Sequence, residues 1–163
     1  MAADYAGAIA AIKAYFVANW QTDGVPTTAF GFVNEAACKT VDENGAPTVW
    51  ALFEVLGSGT VLQGSGTPGN QIIIFDGLVK VHVFVPTGVG TGEGDGGGMQ
   101  KALAAGEIFR NRIFYDTVTN GCYVRSGFAR DGQPRFSQGD VSSNDGEWFV
   151  TTATIPFEYR HRG

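Results

Sequence analysis

A chain of 163 residues, 44% hydrophobic and 12% aromatic, is long enough for one domain with a full core, and it needs no disulfide or structural metal to hold it. Its 11 basic and 16 acidic side chains leave a net charge of −5, which argues against a dedicated nucleic-acid grip but not against a surface that DNA slides past. Cys38 and Cys122 stand outside any CxxC or Cys/His cluster, so they read as reduced thiols in a cytoplasmic protein rather than a zinc site, with a disulfide between them left open.

In residues 4–20, Tyr5, Ile9, Ile12, Phe16 and Trp20 recur at helical spacing and predict a helix about 25 Å long. Asp4 suits its start, and Asp23-Gly24 with Pro26 ends it. Asp4 and Lys13 distinguish this alanine-rich stretch from a signal peptide, and no apolar run in the chain approaches the 18 residues of a membrane span. Residues 21–47 read as irregular, with one short strand at 28–33 and a turn announced by Asn44-Gly45 and Pro47.

From Thr48, TVWALFEVL is apolar on both faces and predicts an inner strand. Residues 57–71 hold five glycines, and the β-branched run IIIFDGLVKVHVFVP follows at 72–86. These segments read as two long antiparallel strands joined by a flexible hairpin arm, with Asp76-Gly77 marking a bulge or bend. After PTGVGTGEGDGGG comes a helix at 97–112 with Met99, Leu103, Gly106, Phe109 and Ile113 as its apolar face. FYDTVTNG reads as a turn region, CYVRSGFAR as a strand and the polar segment 131–147 as a loop. In the final strand Phe149, Thr151, Ala153, Ile155, Phe157 and Tyr159 share one face, and Pro156 places that end at a sheet edge. The expectation is a single α+β domain over residues 1–163: an antiparallel sheet of about four long strands, two helices on one face, and flexible arms near 57–71, 86–98 and 131–145.

A glycine-rich loop entering a helix raises the question of phosphate binding. GGGMQKAL fails the P-loop pattern: no glycine precedes Lys101, Ala102 replaces the hydroxyl, and Glu93 and Asp95 place negative charge where phosphate would sit. Asp95 instead complements the helix dipole. His82 lies mid-strand and His161 near the C-terminus, neither in a triad motif. Asp42, Glu43 and Asp76 cannot be placed together from sequence, and Ser58, Ser65 and Ser126 lack a nucleophile elbow. Arg110, Arg112, Arg125, Arg130, Arg135, Arg160 and Arg162 fall late in the chain, whereas Asp42, Glu43, Glu54, Asp76, Glu93 and Asp95 come earlier. Such asymmetry suits a head-to-tail ring, in which one surface of a subunit meets a different surface of the next; scattered solvated charges are the alternative.

The stretches YAGAIAAIKAYFVANW, VWALFEVLGSGTVLQGSGTPGNQIIIFDGLVKVHVFVPTGVG, AAGEIFRNRIFYD and TIPFEYRHRG resemble small proteins encoded among phage tail genes, similar to the tail terminator (tail completion) proteins of long-tailed phages. The resemblance is one of texture and order across most of the chain, weakest at 21–47 and 131–145. It implies a non-enzymatic virion protein, assembled in the host cytoplasm, with no cofactor, metal or membrane contact. It implies a hexameric ring that caps the head-proximal end of the tail tube, stops tube polymerisation and docks the head connector or head completion protein. It also implies that genomic DNA passes through the lumen; six copies at −5 would carry about −30, which repels DNA and lets it slide. Glu54, Asp76 and the seven arginines are then the candidate interface residues, and Gly64, Gly66, Pro68, Gly69, Gly88, Gly90 and Gly92 mark the candidate assembly loops. The alternatives are another neck or tail-tube subunit, a nucleotide-binding enzyme using the loop at 86–101, and a monomeric adaptor unrelated to phage.

Overall fold

The structure is a computed structural model, and it describes residues 5–20, 28–36, 38, 40–63, 67, 71–87, 98–109, 113–116, 122–126, 135–141 and 148–162. In chain order the elements are α1 (Tyr5–Trp20), β1 (Ala29–Phe32), β2 (Trp50–Gln63), β3 (Ile72–Pro86), α2 (Gly98–Phe109), β4 (Ile113–Asp116), β5 (Cys122–Ser126), β6 (Arg135–Val141) and β7 (Trp148–Arg162). This is the α+β class that the sequence predicts. The sheet runs β1-β2-β3-β7-β5-β4, and β6 also pairs with β7. Only β1–β2 is parallel; every other pairing is antiparallel.

The long strands β2, β3 and β7 form the spine, and shorter strands flank it in two tiers. In the first tier a row of paired residues crosses from Phe32 through Phe53, Val81 and Ala153 to Phe136. In the second a row runs from Val61 through Ile74, Arg160 and Tyr123 to Tyr115.

One face of the spine supplies the core. Phe53, Val79, Val81, Val83, Ala153, Ile155, Phe157 and Tyr159 are buried in a single cluster with Ile12, Phe16 and Trp20 of α1 and Ala102, Ala105, Ile108 and Phe109 of α2. The period-2 alternation expected for the last strand is therefore the one observed. Phe16 is the hub, with its ring 4.3 Å from Phe53, 5.0 Å from Trp20 and 6.2 Å from Phe109. Each such side chain contributes about 1.5–3 kcal/mol by leaving water. Thr28 ties the helices together: its carbonyl accepts from the Trp20 indole at 3.1 Å and its hydroxyl accepts from Lys101 at 2.9 Å.

Several expectations change. The turn predicted in FYDTVTNG is partly strand, because Ile113–Asp116 pairs with β5. The polar segment 131–147 contains β6, docked along β7 from Phe149 to Thr154. A strand of an antiparallel sheet can form with few apolar residues, so the composition of Arg135–Val141 resembles a loop. Residues 57–63, expected within a flexible arm, are strand, since β2 continues to Gln63. The bulge foreshadowed by Asp76-Gly77 sits across the ladder in β2, where the register shifts between Gly57 and Gly59. Pro156 is not at a sheet edge; it pairs with Leu78, and on its other side it falls between the end of the β6 pairing at Thr154 and the start of the β5 pairing at Phe157. That interruption leaves room for a residue with no N–H. On α2 the buried positions are Ala102, Ala105, Gly106, Ile108 and Phe109, while Leu103, expected inside, is 41% exposed. Ile113, assigned to that helix face, belongs to β4.

Candidate functional site

Residues of the opposite parity form a second sheet face, which is half-buried rather than closed. It carries an aromatic cluster, a polar network and a charged group, and the hairpin end adds exposed aliphatic side chains.

The aromatic cluster sits near the β2 start. Cross-strand partners Trp50 and Phe84 stack at 4.0 Å with nearly parallel rings, and Trp148 meets Trp50 edge-on at 6.2 Å. The Trp50 indole N–H is screened from solvent and has no hydrogen-bond partner among the described residues.

The polar network centres on His82. Its Nδ1 lies 2.8 Å from the Thr152 hydroxyl, and its Nε2 lies 3.6 Å from the Glu54 carboxylate. The second distance is long for a hydrogen bond. Burial pushes the imidazole pKa down; Glu54 opposes that shift, and Lys80 adds to it. His82 is therefore neutral at neutral pH, and Glu54 favours the tautomer protonated on Nε2, which leaves Nδ1 to accept from Thr152. Sequence reasoning noted His82 without its partners. Alternation places residues 54, 82 and 152 on one face, but only the strand register makes them neighbours.

The charged group lies further along. Asp76 and Glu158 are direct cross-strand partners, and Arg160 reaches Glu158 at 2.9 Å. Burial and then the Glu158 charge raise the Asp76 pKa, with Arg160 pulling the other way. Arg125 occupies the register position opposite Glu158, Arg135 the one opposite Thr154, and Arg162 the one opposite Ile72. Glu54 and Asp76 thus share one sheet with Arg125, Arg135, Arg160 and Arg162. Arg110, Arg112 and Arg130 lie outside the described residues, as do Gly64, Gly66, Pro68, Gly69, Gly88, Gly90 and Gly92.

At the hairpin end Val61 and Leu62 of β2 are 54% and 55% exposed, and Ile72 of β3 is 38% exposed. The first residue of α2 has a packing role: a Cβ on Gly98 would come within 2.7 Å of Val85. Lys101, the residue a phosphate would need, is bound to Thr28. Cys38 is a free thiol whose pKa burial raises. Among the described residues no group of three or more His, Cys, Asp or Glu side chains could hold a metal, and no helix is long and apolar enough to cross a membrane. No protein-family model matches the chain, and a search of curated proteins returns no match.

Proposed function

We propose that this chain is a structural tail terminator, forming a hexameric ring on the head-proximal end of a phage tail tube. There it stops polymerisation and offers a docking surface to the head connector. The observation that carries the reading is the second sheet face together with the hairpin end: half-buried aromatic and charged groups beside exposed Val61, Leu62 and Ile72, a surface suited to other protein chains. The resemblance of four stretches of the chain to terminators supplies the identity of those chains. The net charge of −5 per copy suits a lumen through which DNA slides.

Native mass spectrometry and negative-stain imaging, with and without the purified tube protein, test this. The expected result is a six-membered ring, alone or capping tubes of limited length. Persistent monomer in both conditions overturns it. Deletion of the gene separates the neighbouring roles: loss of a terminator gives overlong tubes, and loss of a tube subunit gives none.

A further inference from the structure

We infer that copies of this chain join head to tail through their sheet edges, with β4 of one copy adding to the bare edge of β2 in the next. The inference deepens the ring reading and rests on it.

The outline of the sheet points to this contact. Both tiers are five strands wide, but they are offset by one strand. The first tier spans β1-β2-β3-β7-β6 and the second spans β2-β3-β7-β5-β4. On one side β1 covers β2 only from Trp50 to Phe53, and the Val33 amide adds a last bond to the Phe53 carbonyl. Beyond that point no described strand pairs with this side of β2, so a notch one strand wide runs from Glu54 to Gln63. On the other side β4 stands one strand beyond the column that β5 and β6 share, as a tongue of the same width. A strand occupies about 4.8 Å of sheet, so the tongue fills the notch.

Level and direction agree as well. Rows of paired residues connect Gly59, Thr60 and Val61 on β2 to Ile113, Phe114 and Tyr115 on β4, so tongue and notch lie at the same height. Four successive antiparallel pairings between β2 and β4 make those two strands parallel to each other. A neighbouring copy therefore presents β4 in parallel to β2, and its β6 comes beside β1 in the same movement. Joining two different edges in this way is a heterologous, head-to-tail contact, which makes a ring when the rotation between copies closes. The edge chemistry fits: from Glu54 to Gln63 this side of β2 presents N–H and C=O groups that no described strand pairs, it contains no proline or lysine, and its bulge between Gly57 and Gly59 ends where the stretch facing β4 begins.

The test uses the full chain with Cys38→Ser and Cys122→Ser. Val61→Cys is made in one preparation and Tyr115→Cys in another, with Asp116→Cys as a second β4 variant in case Tyr115 does not tolerate change. The preparations are mixed with tube protein, oxidised, and read by non-reducing electrophoresis and native mass spectrometry. The expected result is a covalent dimer in the mixture and in neither preparation alone. A dimer from Val61→Cys by itself means that β2 pairs with its own copy, and overturns the inference. Rings in the mass spectrum without a mixed cross-link overturn it too, while leaving the ring reading standing. A mixed cross-link without rings supports the edge contact and removes the ring reading. Neither rings nor cross-links removes both.

Discussion

Phe157 lies over Gly77, its cross-strand partner, so closely that a Cβ on Gly77 would come within 2.5 Å of the ring and 2.4 Å of the Leu56 carbonyl. The glycine is needed for space, because the β2 bulge brings backbone over this point while the ring closes the core from the other strand. Gly77→Ala should destabilise by about 1–3 kcal/mol through overpacking. At this chain length that lowers Tm by roughly 2–12 °C in calorimetry. Gly59, its neighbour across the bulge, faces open space. Gly59→Ala is the matched control and should stay within about 0.5 kcal/mol of the parent.

Phe16 joins both helices to the sheet through Trp20, Phe30, Phe53 and Phe109. Phe16→Ala should cost about 3–5 kcal/mol by urea denaturation. Phe16→Leu, which keeps most of the volume, should cost clearly less. Equal losses from the two variants would show that the cavity is not the cause.

His82 has a folded-state pKa below its unfolded one, with burial as the main cause. The folded protein then binds fewer protons than the unfolded chain between those two values. Stability from this group is complete above the unfolded pKa of about 6.5 and declines as pH falls through that value toward the folded one. Thermal unfolding between pH 5 and 8 should show that decline, and His82→Gln should flatten it. An unchanged slope in the variant would assign the effect to other groups.

Asp76 has the opposite linkage. Its pKa is raised by burial and by Glu158, so folding favours its protonated form, and stability from this group falls as pH rises above the unfolded carboxylate value. Asp76→Asn should raise the stability of the isolated chain at pH 7 by about 0.2–1 kcal/mol, the range for relieving a like-charge cross-strand pair. If the carboxylate is held there to meet another subunit, the same variant should weaken ring formation in native mass spectrometry.

Leu62 is more than half exposed at the end of β2. Leu62→Lys should leave Tm within about 2 °C of the parent, since surface changes cost within ~0.5 kcal/mol. The same change should reduce assembly on the tube tip, because an edge lysine resists strand addition. Full assembly of this variant would place the contact elsewhere.

The elements with a strong period were legible from composition and spacing alone. Ile12, Phe16 and Trp20 recur at the helical repeat, and residues 149–159 alternate at the strand repeat, because each element must bury one stripe or one face whatever its neighbours are. The same local logic located β1 and the long β2–β3 pair. Local patterning was silent about β4 and β6: Ile113–Asp116 is only four residues long and Arg135–Val141 is polar, and they become strand because β5 and β7 offer ladder partners. It misplaced Leu103 and Pro156, since which side of α2 meets the sheet, and where the β7 edge is left unpaired, depend on partners distant in the chain. The candidate site shows the same division. Glu54, Asp76 and the arginines were visible as charges. That His82 meets Thr152, that Asp76 faces Glu158, and that β2 carries a notch matching β4 follow from strand register and strand order, which are set by long-range backbone pairing between segments that sequence adjacency does not connect.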